Sequence, residues 1–359
     1  MIPISIPKLY DEDKMLVKKA IDDNFIANGE QIIQFETEFA EFCNRKYAVT
    51  CCNGTVALYM AVKALNLTKN SEVIVPSMTI LSCLTAITEN NLVPVFCDID
   101  IETWNVDFNS IKNKITEKTS AIIIVNTYGL IVDPYKINDL KTSYPNIKII
   151  EDASESHGAK YNEIIAGSIG DVSTFSFYSN KIITMGEGGC ILTDDEETYK
   201  QLLMLRNLNF TERKKYIHAD IGFNFRLTNM QASIGLGQLH NIDKTIFDRK
   251  RIAAGYNKWF QFNNKIQIPF EGNGYNNVYW YYSILIKENY DDVLNALTDN
   301  EIDYRHFFYP LHKQKFINST EVLVNSEYAF NHGLILPTYS ELKDSQIDYI
   351  ANVILNTIQ

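Results

Sequence analysis

Between residues 47 and about 193 the chain repeats one pattern: a short run of β-branched apolar residues, a turn, then a stretch with apolar positions at helical spacing. The runs at 47–52, 72–76, 121–125 and 147–151 are apolar at successive rather than alternate positions, which suits strands covered on both faces in a parallel sheet. Segments 54–65 and 79–89 follow the first two runs after short loops and read as helices. In a βα alternation of this kind ligands sit beyond the carboxyl ends of the strands, so candidate chemistry is sought there. After residue 240 the pattern changes. A long helical stretch at 242–260 leads to an aromatic run at 278–286, read as a strand, then a helix near 291–298, a strand near 304–308 and a final helix near 346–355. The expected organisation is two domains. Residues 1–240 form an α/β domain with a mostly parallel central sheet, and residues 241–359 form a smaller α+β domain.

Composition narrows the function. The 359 residues are 46% hydrophobic and 21% charged, with a mean hydropathy of −0.15, the balance of a folded globular chain able to bury a large core. A net charge of −11 repels nucleic acid and anionic membrane surfaces, and neither is expected as a partner. The local exception is Arg206 with Arg213, Lys214 and Lys215, read as a solvated loop within reach of an anionic substrate. The first residues lack a basic-then-apolar leader, and no apolar run approaches the roughly 20 residues of a membrane span, so the expected compartment is the cytoplasm. Six scattered cysteines without CxxC pairing read as reduced core residues, and no metal is expected.

Three segments carry candidate chemistry. In 173–181 a β-rich run ends at Lys181, followed by the glycine-rich turn Gly186-Glu187-Gly188-Gly189. A lysine held there out of water has a lowered pKa and a free amine for attack on a carbonyl, although a lone lysine after a strand is usually a surface residue. In 149–158, Glu151 and Asp152 fall at a strand's carboxyl end. A carboxylate there can pair with a protonated pyridine nitrogen and keep the ring an electron sink. A metal group of Asp152, Glu155 and His157 is the competing reading, weakened by the lack of a second spaced His or Cys group. Third, Cys52-Asn53-Gly54-Thr55 turns a strand into a helix. Its free N–H groups, the helix dipole and the Thr55 hydroxyl suit a phosphate, unless it is an ordinary helix start.

In this order, together with Asn28-Gly29, Gly222-Phe223-Asn224, Arg226, Asn229 and Phe308-Tyr309-Pro310-Leu311-His312, these segments resemble the DegT/StrS family of sugar aminotransferases, in particular its GDP-perosamine synthase branch. The resemblance spans almost the whole chain. It implies an aspartate-aminotransferase-like (fold type I) architecture, pyridoxal 5'-phosphate as cofactor, L-glutamate as amino donor, and a nucleotide-linked 4-keto-6-deoxy sugar as acceptor in surface polysaccharide synthesis. Lys181 matches the family's Schiff-base lysine and Asp152 its partner of the ring nitrogen. Glu155 falls near the cofactor hydroxyl, Gly54, Thr55 and Ser176 fall at the phosphate positions, and Asn53 beside them is counted among the cofactor-binding residues. Asn224 matches an asparagine that reaches the neighbouring subunit's phosphate, implying a homodimer with shared sites, and His218 matches a position lining that neighbouring site. His306 and His312 lie in a motif near the substrate mouth, and Arg226 is a candidate for the donor carboxylate.

One position departs from the family: Ile80 stands where an aromatic ring usually stacks on the cofactor. It keeps open a small phosphorylated ketone such as dihydroxyacetone phosphate as acceptor, giving serinol phosphate. Relatives with histidine at the Schiff-base position are 3-dehydratases, so Lys181 favours transamination. A non-catalytic sensor would have no chemical use for the full set of residues. The aromatic cluster Tyr279-Trp280-Tyr281-Tyr282 reads as small-domain core.

Overall fold

The computed structural model describes residues 1–211 and 216–358. Seven strands build the central sheet: β1 (Tyr47–Cys51), β2 (Glu72–Pro76), β3 (Val93–Cys97), β4 (Thr119–Val125), β5 (Lys148–Asp152), β6 (Val172–Ser176) and β7 (Gly189–Thr193). Their order across the sheet is β1-β7-β6-β5-β4-β2-β3. Every neighbouring pair is parallel except the two made by β7, which runs against both β1 and β6. This is the expected mostly parallel α/β sheet. The four expected strands form with small shifts at their ends, while β3 and β7 were not expected. Pro94 hid β3, and it is tolerated because β3 is the sheet's edge.

Helices cover the sheet, and local chemistry sets where they begin. Asn53 caps the helix Gly54–Ala64 by accepting from the Val56 N–H at 2.9 Å, and Asp195 caps Glu196–Arg206 through Thr198. The helix Glu30–Phe42 lays Phe35 and Phe39 against Phe175 and Phe177 at the end of β6, with Phe39 and Phe175 edge to face at 4.9 Å between centroids. All four rings are fully buried. Truncating any one to alanine costs about 3–5 kcal/mol. This cluster roots the loop that leaves β6, which folds back through Phe177 N–H to Gly188 O at 2.8 Å and Met185 N–H to Phe177 O at 2.9 Å. Gly186 makes the turn at φ +78°.

The C-terminal part carries a second sheet of four antiparallel strands, β8 (Ile266–Gln267), β9 (Tyr282–Ile286), β10 (Arg305–His306) and β11 (Gly333–Leu336), in the order β8-β9-β11-β10. Helices Ile242–Phe260, Tyr290–Asp299 and Asp344–Thr357 pack on it around Tyr256, Phe260, Tyr282 and Ile350. The N-terminus joins this sheet's surroundings: the Ile2 N–H donates to Glu301 O, Ile2 O accepts from Asp303, and Ile4 O accepts from Thr338. The aromatic run divides. Tyr279 and Tyr282 enter the small core as expected, but Trp280 and Tyr281 enter the main one, because Tyr279 takes a left-handed turn at φ 48° before β9 begins. Among the described residues no helix is long and apolar enough to cross a membrane.

Candidate active site

The carboxyl ends of β1, β5 and β6 converge on one cavity of about 470 Å³. Asn53, Gly54, Thr55, Ile80, Asp152, Glu155, Ser176 and Lys181 all line it, so eight of the residues singled out in the sequence come together. Trp280, Arg305 and Phe308 line it too. Phe308 belongs to the family motif and Trp280 to the aromatic run read as core, while Arg305 was not singled out.

The half-buried Lys181 turns its amine over the Trp280 ring, 3.5 Å from the centroid, and the Trp280 indole N–H donates to Asn180 O at 2.8 Å. Burial pushes the Lys181 pKa below the usual lysine range, Glu155 and Asp152 pull it back, and the Arg305 charge lowers it further. Glu155 accepts the Tyr128 N–H at 2.8 Å, and burial lifts its pKa to about 7 against the pull of Lys181. Tyr128 reaches that position in a left-handed backbone conformation, φ 52°, a cost carried where geometry is functionally constrained. Its ring stacks on Phe308 at 5.7 Å between centroids.

The acids of β5 part company because successive side chains on a strand point to opposite faces. Asp152 faces the cavity, held by the Ser154 N–H at 3.1 Å and the Cys83 thiol at 3.5 Å. Glu151 points the other way and accepts from Asn126, Ser173, Gly167, Ile169 and Gly170. It pins the 167–170 loop. The suggested metal trio does not converge: His157 lies between Phe175 and Phe177, with burial pushing its pKa down to about 3.

At the start of the helix Gly54–Ala64, the Gly54 and Thr55 N–H groups lie at the positive end of the helix dipole, where no intrahelical acceptor exists. A Cβ on Gly54 would stand 2.7 Å from the Ser176 Cβ, so only glycine lets the helix end approach β6 so closely. Thr55 and Ser82 hydroxyls meet at 2.7 Å beside it. This cradle, a carboxylate aimed into the cavity and a desolvated amine fit pyridoxal phosphate: Gly54, Thr55 and Ser176 would hold its phosphate, Asp152 would face its ring nitrogen and Lys181 its carbonyl carbon. Ile80 stands at the mouth, 45% exposed.

The remaining sequence candidates lie elsewhere. His306 is exposed and bonds to the Tyr290 hydroxyl at 2.8 Å. His312 is buried, meeting the Ser77 hydroxyl at 2.6 Å and Glu327 at 3.2 Å, and so fastens the 310–313 turn to the end of β2. Neither lines the cavity, because strand alternation turns His306 away when Arg305 faces in, and His312 is spent on structure. His218, Asn224 and Arg226 belong to an exposed segment, His218 against Leu208 O at 2.6 Å and Arg226 against Asn207. Arg226 lines a separate cavity of about 760 Å³ beside Arg206. Arg206 is not a solvated loop residue. It ends a helix in a half-buried ion pair with Glu36. Arg213, Lys214 and Lys215 fall outside the described residues.

A mixed sheet with one reversed strand, a lysine in the loop after β6 and an acid closing β5 suit an aminotransferase that uses pyridoxal phosphate. The chain belongs to the DegT/DnrJ/EryC1/StrS aminotransferase family, whose sequence profile it matches over residues 7–355. It is 37% identical to GDP-perosamine synthase of Escherichia coli O157:H7 over 357 residues, 98% of this chain and 97% of that one. It is 35% identical to GDP-perosamine synthase of Vibrio cholerae, covering 99% of each chain. Among solved structures, E. coli GDP-4-keto-6-deoxy-D-mannose-3-dehydratase with bound hydrated PLP superposes with a TM-score of 0.92 at 27% identity, over 99% of both chains.

Proposed function

We propose that this enzyme moves the amino group of L-glutamate to GDP-4-keto-6-deoxymannose, making a GDP-linked amino sugar for surface polysaccharide in the cytoplasm. The observation that carries the reading is the full-length similarity to two GDP-perosamine synthases, joined to a cavity in which Lys181, Asp152 and the Gly54 cradle meet. Pyridoxal phosphate, when bound, supplies the carbonyl that carries the amino group between the two substrates and the ring that stores the electron pair. Lys181 Nζ, with its depressed pKa, takes and returns the proton at the carbon that bears the amino group, a role worth roughly 10²–10⁴-fold in rate. Asp152 would pair with the ring nitrogen, and Glu155, titrating near 7, would hold a proton near the cofactor hydroxyl. Arg206 is engaged by Glu36 away from the cavity, which removes one cation offered for the phosphate of a small keto acceptor, while Ile80 stays at the mouth and dihydroxyacetone phosphate remains the alternative acceptor.

The reading includes a homodimer with shared sites. The segment bearing His218 and Asn224 stands clear of its own cavity and exposes Ile217, Ile221 and Phe223, with Ile221 86% exposed. A patch of this kind marks a protein contact, and in the dimer Asn224 meets the neighbour's phosphate cradle while His218 lines its substrate mouth.

The acceptor is tested with enzyme loaded with pyridoxal phosphate, aminated with L-glutamate and freed of excess donor. Return of the original absorbance with GDP-4-keto-6-deoxymannose is expected. Return only with dihydroxyacetone phosphate would replace the acceptor, and no cofactor absorbance would sink the role given to Lys181. Sharing is tested by mixing Lys181→Ala and Asn224→Ala chains. Hybrids regain activity that neither parent has, because one of their sites is intact; no recovery would place Asn224 outside the partner's site.

A further inference from the structure

Arg305 is a cation in the Lys181 cavity with no acid within ion-pairing distance and no hydrogen-bond acceptor among the described residues. It does not lack a fixed position. Its backbone is held in β10, opposite Ile335 of β11, and its guanidinium lies 6.0 Å from the centroid of the buried Tyr281 ring. Alternation along β10 sends His306 to the other face. The remaining charges in the cavity are Lys181 and the acids Asp152, Glu155 and Glu187. Asp152 and Glu155 both act on Lys181, and Arg305 is close enough for its charge to lower the Lys181 pKa. An unpaired planar fork of donors near the reacting amine calls for a carboxylate or phosphate.

We infer that Arg305 receives the α-carboxylate of the amino donor and thereby sets donor specificity. This rests on the transaminase reading above. An amino acid carries its α-carboxylate one bond from the carbon whose amino group is transferred, so a cation beside Lys181 faces that group. In a nucleotide-linked 4-keto-6-deoxy sugar the anionic diphosphate is joined across the sugar ring from the keto carbon, which is flanked by a carbon bearing a neutral hydroxyl and one bearing a methyl group. Arg305 therefore acts in the donor half of the reaction and not in the acceptor half. Arg226, the candidate suggested by the sequence, lines the other cavity.

The test separates the two halves in the holoenzyme with Arg305→Gln and Arg305→Lys. Cofactor absorbance follows amination by L-glutamate, and in a separate experiment follows the loss of the amino group to GDP-4-keto-6-deoxymannose. Losing a charge-assisted hydrogen bond raises the glutamate concentration for half-maximal rate about 10- to 100-fold in R305Q, with R305K between it and wild type because it lacks the fork. The acceptor half stays within about 2-fold in R305K, which keeps the charge that acts on Lys181, and in R305Q it changes only as far as losing that charge shifts Lys181, by less than the donor half. The preference for L-glutamate over 4-aminobutyrate, which lacks only the α-carboxylate, falls by a similar factor in R305Q, and calorimetric affinity for 2-oxoglutarate falls with it. An unchanged donor half, an equal loss in both halves, or an unchanged preference over 4-aminobutyrate would each overturn the assignment. Wild-type enzyme that glutamate cannot aminate would overturn the transaminase reading itself, and that result is read without any variant.

Discussion

Glu151 and Glu155 are both buried, at 0% and 5% exposure, yet they are supplied with hydrogen bonds very differently. Five donors converge on Glu151, three of them backbone N–H groups of the 167–170 loop. Its charge is fully answered, and its work is to hold a turn. Glu155 receives one N–H, from Tyr128, and otherwise faces Lys181, so burial wins and its pKa climbs to about 7. Burial alone does not make an acid functional. The number of donors aimed at it decides whether it is spent on holding structure or left facing the group it can act on.

Removing the saturated acid has the larger effect. Glu151→Ala leaves five donors without their acceptor and lowers unfolding free energy by at least about 3 kcal/mol in urea melts. A loss below about 1 kcal/mol would mean that the loop re-pairs and that donor number is a poor guide. Glu155→Gln keeps an acceptor for Tyr128, so stability at neutral pH changes little while turnover loses the limb that titrates near pH 7. The sign follows from proton binding. The folded state holds the Glu155 proton more tightly than the unfolded chain, so its contribution is complete below about 4.5 and is lost as pH rises through about 7. Melts from pH 4.5 to 7 should therefore show a flatter decline in E155Q, and parallel curves would refute the raised pKa.

The smallest effect belongs to acids at the surface. His240 bridges Glu12 and Glu38 at 2.7 Å each. Burial works against its charge, but the two carboxylates more than offset this and raise its pKa. The bridge is fully present below 6.5, the unfolded value, and is lost as pH rises through the folded one. His240→Gln should lower the melting temperature slightly at acid pH and not at all once the ring is neutral. A gap that persists at alkaline pH would assign the effect to packing.

What the sequence made legible was local. Strands β1, β2, β4 and β5 could be read from continuous apolar runs, and the Asn53 cap, the Lys181 loop and the Asp152 strand end are contiguous segments whose order alone carries the family likeness. The Arg305, Trp280 and Tyr128 contributions could not be read this way. Trp280 and Arg305 reach the cavity because the second sheet docks beside β6, a contact between residues about 100 or more positions apart. Tyr128 serves through its backbone N–H in a left-handed turn that no side-chain pattern announces. His312 misled for the opposite reason, being a polar residue in a family motif whose two ring nitrogens are spent on Ser77 and Glu327.

The pairing of Ile2 with Ile302, together with the Ile4 bond to Thr338, sets a schedule for biogenesis. Residues 2 and 4 acquire these partners only once residues 302 and 338 have been synthesised. Contacts at such sequence separation form slowly because a large loop must close first. Until then the segment around Ile2 and Ile4 lacks these backbone partners, so nascent chains stalled before residue 302 should remain open to proteolysis there.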